Sequence, residues 1–212
     1  MSQWVRKTFP VPPLSCNCSI LGDLQSKEAI VVDPGGSPER ILEEVDTLGL
    51  TVIAIVHTHA HFDHFLASGT IKQATGAPLY LHPHDRDLWN ILEIQCRMFG
   101  VPYVPAPSPD REIQDGEDLL LGQFSGVILH TPGHTPGSSS FYFEQPGILL
   151  SGDTLFRGGI GRTDLWGGDS QAIKRSIREK IYTLRESTVV VPGHGSESSV
   201  GWEREYNMFV TA

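Results

Sequence analysis

The stretch IVHTHAHFDH, residues 55–64, holds four of the nine histidines of the chain and one aspartate. It begins inside LTVIAIV, residues 50–56, an apolar and β-branched run that predicts a buried strand. The spacing His-x-His-x-Asp-His over residues 59–64 can place two histidines on one side of an extended turn. The adjacent aspartate and histidine then face a second point nearby. This pattern predicts a metal-binding turn at the end of a strand.

Three further segments repeat the design of an apolar strand followed by a polar residue in a turn. GVILHTPGH, GILLSGD and TVVVPGH end at His134, Asp153 and His194. The four segments together offer seven candidate metal donors: His59, His61, Asp63, His64, His134, Asp153 and His194. One tetrahedral ion takes about four ligands. The set therefore suits two ions that share a bridging carboxylate, with a bridging water or hydroxide completing both shells.

The chemistry of the donors restricts the cofactor. Without a thiolate, nitrogen and oxygen donors give no strong preference for zinc, which stays the first expectation, and they leave iron or manganese open. The three cysteines do not form a disulfide framework. Cys16 and Cys18 are either two strand residues, the favoured interpretation, or a soft metal pair. No Walker loop and no GxGxxG follows a strand, so we expect no nucleotide cofactor.

Composition limits the partners and the location. The net charge is −9 and no basic cluster stands out, so we expect no nucleic-acid partner. No apolar run approaches the roughly 20 residues of a membrane span, so we expect no membrane partner. The N-terminus has no stretch of secretory type, and the few cysteines fit a cytoplasmic location. The length of 212 residues favours a single domain.

Hydrophobic periodicity predicts the order strands, helices, strands, helix, strand, which suits two sheets with helices packed outside. Residues 101–118 are rich in proline and aspartate and predict a loop. We expect four helices, at residues 37–49, 65–76, 85–100 and 170–185.

The motif THxHxDH, followed by PGHTPG, SGD and PGH, resembles the metallo-β-lactamase superfamily. Within it, the chain is most similar to the short bacterial relatives of glyoxalase II (hydroxyacylglutathione hydrolase). The resemblance implies an α/β fold, an αββα sandwich of two mixed β-sheets flanked by helices. It also implies one domain over residues 1–212, without the extra C-terminal helical domain of the full-length enzymes.

The resemblance also implies a role for each donor. Two divalent ions are expected, with Asp153 bridging them and with Asp63 and Asp153 as the candidate catalytic carboxylates. The remaining ligands divide between metal one and metal two: His59, His61 and His134 on the first, and Asp63, His64 and His194 on the second.

The implied activity is hydrolysis of a small-molecule thioester, S-D-lactoylglutathione or a related hydroxyacyl thioester, by a metal-bridging hydroxide. A thiol has a pKa of about 8.5, so a thiolate can depart without a strong general acid. Arg162, in GIGRTD, matches a basic position near the thioester in the family and is the candidate substrate contact. The short segment after His194 differs from the full-length enzymes, which leaves the requirement for glutathione open.

Other functions remain as alternatives. A persulfide dioxygenase of the same superfamily uses one iron, here held by His59, His134 and Asp153, and lactonases share the motif. Persulfide dioxygenases tend to have His-Asp-Tyr where this chain has His-Gly-Ser at residues 194–196. A nuclease fits the acidic charge less well. A metal-binding protein without turnover is disfavoured because degenerate members usually lose ligands.

Several polar residues near the motifs are expected to be structural. His57 ends a strand and is predicted to be a buried histidine with satisfied hydrogen bonds. His82 and His84 are expected in a loop. His130 either supports the ligands from behind or simply packs. Asp33 either orients ligands or serves the turn VVDPGG.

Overall fold

The computed structural model describes residues 3–211, and its backbone falls into two compact units. The first unit runs to Ile113 and takes in Leu120–Phe124, and the remaining residues form the second. Among the helices of the described residues, none has the length and apolar character needed to cross a bilayer. Whether the chain acts as a single domain stays a prediction.

The first unit is built on a mixed sheet of six strands that are ordered as they occur along the chain. The strands are β1 (Trp4–Val11), β2 (Cys16–Asp23), β3 (Glu28–Val32), β4 (Thr51–Val56), β5 (Leu79–Leu81) and β6 (Arg111–Glu112). β1, β2 and β3 pair antiparallel, whereas β3 to β6 pair parallel. Its helices are α1 (Pro38–Thr47), α2 (Ser68–Thr75), α3 (Arg86–Asn90) and α4 (Leu92–Met98), with 3₁₀ turns at Phe62–His64 and Pro83–Asp85.

The parallel pairing of β3 and β4 brings two polar turns together. Both strands are mostly buried and apolar, as parallel strands covered on both faces require. Val32 lies opposite Val56 in the register, so both strands end at the same edge of the sheet. Asp33 and His57 come next along the chain, and the turn with the HxHxDH motif therefore starts beside Asp33.

The remaining strands include a mixed sheet in the order β14-β13-β10-β9-β8-β7, which belongs to the second unit apart from Leu120, Leu121 and Phe124. This unit also contains a short hairpin of β11 and β12 and two helices. The strands are β7 (Asp118–Leu121), β8 (Phe124–His130), β9 (Ser139–Phe143), β10 (Ile148–Gly152), β11 (Leu155–Phe156), β12 (Gly159–Ile160), β13 (Val189–Pro192) and β14 (Ser198–Ser199). The helices are α5 (Ser170–Ser176), which continues as a π-helical turn at Ile177–Ile181, and α6 (Val200–Tyr206).

Three strands of the second sheet end at one edge. β9 is antiparallel to both β8 and β10, and β13 is parallel to β10, so β8, β10 and β13 run in the same direction. The turns that follow β8 and β10 are joined by a 3.1 Å hydrogen bond between the hydroxyls of Thr131 and Thr154. Gly193 N–H donates to the carbonyl of Gly152, at 2.8 Å, which joins the turns after β10 and β13.

The predicted sheets and most helices are confirmed, but the single helix predicted for residues 85–100 is wrong. It is divided into α3 and α4 at Ile91. The carbonyl of Leu88 accepts hydrogen bonds from Ile91 N–H, at 3.2 Å, and from the side chain of Gln95, at 2.9 Å. These two hydrogen bonds to the carbonyl of Leu88 end α3. One of them comes from the side chain of Gln95, seven residues further along the chain.

Two further differences concern segments without regular structure in the prediction. β6 lies inside the loop expected at residues 101–118. α6 follows His194 and is held by the buried carboxylate of Glu203, which accepts from Gly158 N–H and Asn207 Nδ2. A buried acidic residue in a short polar segment gave no periodic signal, so the helix was missed.

Candidate metal centre

The first unit places four predicted donors on the turn after β4. His59 Nε2 lies 3.1 Å from His61 Nδ1, and His64 Nε2 lies 3.7 Å from Asp63 Oδ2. Two ligand atoms about 2.0–2.1 Å from one tetrahedral ion are about 3.3 Å apart. Each pair therefore has the separation that a shared ion requires, and the turn brings together donors for two positions.

Asp33 fixes the orientation of two of these histidines. Its carboxylate is almost fully buried and accepts from both the backbone N–H and the hydroxyl of Thr58, at 2.8 and 2.7 Å. Oδ2 of Asp33 also lies 3.1 Å from His64 Nδ1, and the Thr58 hydroxyl lies 3.0 Å from His59 Nδ1. With Nδ1 of each ring engaged, Nε2 of each ring is the atom left to bind an ion. Of the two roles that the sequence left open for Asp33, the structure supports the orienting one.

Replacing Asp33 with asparagine is expected to weaken metal binding about 10–100-fold, the usual effect of losing a hydrogen-bond partner behind a ligand. Asparagine tolerates the left-handed backbone found here, with φ of 51°, so the turn should keep its shape. Its amide supplies one acceptor oxygen where the carboxylate uses two. Chelator-competition titration measures the change, with the exposed helical Asp46→Asn as the control. An affinity equal to that of the control would contradict the orienting role.

The second unit brings together the three remaining predicted donors. Asp153 Oδ2 lies 3.6 Å from His134 Nε2 and 3.7 Å from His194 Nε2. His134 Nδ1 donates to the carbonyl of Arg162 at 2.8 Å, which leaves Nε2 as its metal-binding atom. One carboxylate oxygen thus lies within ligand-to-ligand distance of two imidazole nitrogens, a spacing that suits metal ligands.

Two glycines let the backbone approach ligand residues closely. A Cβ atom on Gly35 would lie 1.6 Å from the carbonyl oxygen of Asp63, and one on Gly161 would lie 1.8 Å from that of Asp153. Only glycine fits at such separations. Both positions were missed by the sequence analysis, although each glycine belongs to a Gly-rich segment near a motif.

His57 is confirmed as a structural histidine. It is fully buried, its Nε2 lies 2.8 Å from the Ser68 hydroxyl, and its Nδ1 lies 3.2 Å from the Tyr80 carbonyl. Its ring stacks on Phe65 with the centroids 3.7 Å apart. Burial lowers the pKa of His57 to about 4, so the ring is neutral near pH 7.

The remaining histidines occupy supporting positions. His130 Nε2 donates to the carbonyl of Pro136 at 2.8 Å, which braces the turn that carries His134. His82 Nδ1 accepts from the backbone N–H of His84, at 3.3 Å, in the 3₁₀ turn that begins at Pro83. His130 therefore supports a ligand turn through its backbone.

Cys16 and Cys18 are strand residues, as favoured by the sequence analysis. Both are fully buried in β2, and burial raises the pKa of Cys16 to about 12. The Cys16 thiol is therefore neutral, whereas a metal ligand would be a thiolate. Its sulfur lies 3.4 Å from His64 Nδ1, so it packs behind that ligand.

Arg162, the predicted substrate contact, lies on the exposed loop after β12. Its guanidinium forms two hydrogen bonds with the Asp164 carboxylate, at 2.7 and 2.8 Å. These hydrogen bonds raise the pKa of Arg162 and lower the pKa of Asp164 to about 2, so both groups are charged. Its role in substrate binding stays a prediction.

Two polar residues that contact the ligand turn of the first unit were not predicted from the sequence. Asp85 and Gln95 are buried and form hydrogen bonds to the backbone around His61. A signal existed for Gln95, because it lies beside Leu92 and Cys96 on the buried face of α4. A polar residue on an apolar helix face requires a specific partner.

The donor set fits divalent ions. All seven predicted donors are imidazole or carboxylate groups on turns at strand ends, four in the first unit and three in the second. Their spacing within each unit matches ligand separations, so the chain has the groups of a metal-binding protein. Neither the spacing nor the donor type selects zinc over iron or manganese.

Comparison with known proteins agrees with this chemistry. The model of the metallo-beta-lactamase superfamily matches residues 11–194. A hydroxyacylglutathione hydrolase, GloC, of Haemophilus influenzae is 38% identical over 206 residues, covering 96% of this chain and 97% of that protein. The mitochondrial persulfide dioxygenase of Bos taurus is 31% identical over 205 residues, covering 94% of this chain and 73% of that protein.

Solved structures are similar over nearly the whole chain. The crystal structure of BLEG-1, a B3 metallo-beta-lactamase, has a TM-score of 0.91 and 38% identity, covering 98% of this chain and 100% of that one. The structure of TTHA1623 in a di-iron-bound form has a TM-score of 0.87 and 36% identity, covering 95% of this chain and 98% of that one. The predicted fold class, two mixed sheets with flanking helices, is confirmed.

Proposed function

Because the chain belongs to the metallo-β-lactamase superfamily, we propose that it is a metal-dependent hydrolase that cleaves S-D-lactoylglutathione or a related hydroxyacyl thioester. The similarity to a hydroxyacylglutathione hydrolase over almost the full length supports this substrate class. The observation that carries the proposal is the position of Asp153 Oδ2 between His134 Nε2 and His194 Nε2.

Two divalent ions are proposed, with zinc as the first expectation and iron or manganese as alternatives. Asp153 would supply its carboxylate to both ions. The other ligands divide as His59, His61 and His134 for one ion, and Asp63, His64 and His194 for the other. This division is supported in the first unit by the close pairs His59–His61 and Asp63–His64. The di-iron form of a similar structure supports the number of ions.

When bound, such ions lower the pKa of a water molecule to about 7 and withdraw charge from a carbonyl oxygen. The residues of the chain hold this chemistry in place. Asp33 and Thr58 keep Nδ1 of His64 and His59 engaged, so that neither ring can rotate away from its ligand position. The carboxylates of Asp63 and Asp153 supply negative charge that attracts cations to the site.

The leaving group fits this set of residues. A departing thiolate has a conjugate acid with a pKa of about 8.5, so cleavage of a thioester needs no strong proton donor at the sulfur. An amine leaving group would need a proton in the same step. Arg162, charged and on an exposed loop, is proposed to contact an anionic part of the substrate.

A persulfide dioxygenase is the second candidate, supported by a relative of that name. It would use one iron at His59, His134 and Asp153. The Asp63–His64 pair favours the hydrolase. Asp33 orients His64 as a ligand, and a site with a single iron would not use that ligand. A lactonase is a further possibility on the same fold, since fold alone does not fix the reaction.

The hydrolase is expected to release thiol from S-D-lactoylglutathione without oxygen. Protein reconstituted with zinc or manganese is assayed anaerobically, with thiol detected by a chromogenic disulfide, and a lactone and a β-lactam serve as comparison substrates. In parallel, oxygen uptake is measured with glutathione persulfide. Turnover that needs iron and oxygen, with no anaerobic thiol release, would replace the hydrolase with the dioxygenase.

A further inference from the structure

Two buried side chains hold the backbone on both sides of His61. The Ala60 N–H donates to Asp85 Oδ2 at 2.9 Å, and the Phe62 N–H donates to Gln95 Oε1 at 3.1 Å. The residues of this turn lie beyond the end of β4, so their peptide groups have left the hydrogen-bond ladder of the sheet. Asp85 and Gln95 supply the missing partners.

Gln95 uses both ends of its amide. Besides accepting from Phe62, its Nε2 donates to the carbonyl of Ala60 at 3.1 Å and to the carbonyl of Leu88 at 2.9 Å. The first two contacts connect α4 to both peptide groups that flank His61. The third connects the same side chain to the end of α3. The orientation of the amide is therefore fixed by three partners at once.

Both side chains act in an apolar environment. Asp85 is fully buried and Gln95 is only 8% exposed. Ala60 and Phe62 belong to a buried apolar cluster with Leu88 and others. Water cannot easily replace a lost partner in such a place, so a removed side chain leaves an unsatisfied peptide group and the turn must shift.

We propose that Asp85 and Gln95 are positioning residues that set the distance between His59 Nε2 and His61 Nδ1, and thereby the affinity for the ion these atoms bind. His61 has a backbone contact on either side to these two residues, whereas Asp33 and Thr58 orient His59 and His64. The inference rests on the metal ligands of the proposed function and is independent of its substrate.

A purely structural role must be separated from positioning. Asp23 offers a matched control, because it is a fully buried carboxylate of the same unit that accepts from the backbone N–H of Gln25 and Gln123. These contacts join the turn between β2 and β3 to the turn between β7 and β8, and they do not involve the ligand turn. Asp23→Asn should therefore lower thermal stability without changing metal affinity.

The test compares Gln95→Met, which removes all three contacts at similar volume, and Asp85→Ala, which removes the acceptor for the Ala60 N–H, with the Asp23→Asn control. Metal affinity is measured by chelator competition, and the geometry of the site by the visible spectrum of the cobalt(II) form. We expect both variants to bind about tenfold more weakly or worse, and to change the cobalt spectrum. Gln95→Glu keeps the acceptor for Phe62 but places a carboxylate oxygen against the carbonyls of Ala60 and Leu88, so it should also weaken metal binding by about tenfold or more.

Affinities within twofold of the unaltered protein, with an unchanged cobalt spectrum and a melting temperature lowered as in Asp23→Asn, would overturn the proposal. If Gln95→Met does not fold, Gln95→Glu and Asp85→Ala decide the question by the same criteria. Thiol release is recorded separately. Absence of thiol release in the unaltered protein would reject the thioesterase function, while the metal affinities would still judge the roles of Asp85 and Gln95.

Discussion

Asp153→Ala is expected to lose metal and to lower thioester hydrolysis by more than about 100-fold, since even partners behind the ligands are worth about 10–100-fold. The substitution removes the oxygen that lies 3.6 Å from His134 Nε2 and 3.7 Å from His194 Nε2. It also removes the negative charge that two cations would share, so the ions would repel each other without compensation. Elemental analysis after dialysis measures the loss, together with the rate of thiol release.

Asp169→Asn is the matched control for that experiment. Asp169 lies in the same unit, and its carboxylate caps α5 by accepting from the N–H groups of Gln171 and Ala172. Asparagine caps helices about as well, so metal content and activity should stay as in the unaltered protein. Two ions per chain in Asp153→Ala, equal to the control, would remove the bridging role.

His59→Gln and His57→Gln are expected to differ by more than about 100-fold in activity. Loss of a hydrogen-bond partner behind a ligand already costs about 10–100-fold, and loss of the ligand itself should cost more. His59 presents Nε2 beside His61 Nδ1, with its own Nδ1 held by Thr58. Loss of the imidazole removes a ligand, and metal content should fall. His57, two residues earlier, makes its contacts to Ser68 and Tyr80 and should affect only stability.

Metal content and melting temperature separate the two outcomes. His57→Gln should melt at a lower temperature, because a buried, stacked ring is replaced by a flexible amide, and it should retain its metal. His59→Gln should lose its metal, whereas the melting temperature of its metal-free form should stay as in the unaltered protein. If His57→Gln abolishes metal binding while His59→Gln does not, the register of the motif has been assigned incorrectly.

The strand-end positions of the candidate donors were predictable from the sequence because strand periodicity and turn position are local properties. β4 reads as a buried strand, and parallel pairing with β3 places both ends at one edge. The same reasoning applies to β10 and β13, whose ends carry Asp153 and His194. Local pattern and global fold agree at these positions, and the prediction followed from that agreement.

The supporting contacts were not predictable, because they join residues far apart in the sequence. Gln95 accepts a hydrogen bond from the backbone N–H of Phe62, 33 residues earlier in the sequence. Asp85 accepts one from the backbone N–H of Ala60, 25 residues earlier. No periodicity reports such pairs. Another hydrogen bond of Gln95 divides the helix predicted at residues 85–100, because its side chain donates to the carbonyl of Leu88 in α3. The prediction failed where a tertiary hydrogen bond outweighed helix propensity.

The backbone and the side chain of Arg162 make separate contacts. His134 is oriented by the main-chain oxygen of residue 162, which every amino acid possesses, whereas the guanidinium pairs with Asp164 on the exposed loop. Substitution of the side chain therefore leaves the hydrogen bond to His134 available. Under the proposed substrate role of Arg162, substitution of its side chain would alter substrate binding while His134 keeps its orientation.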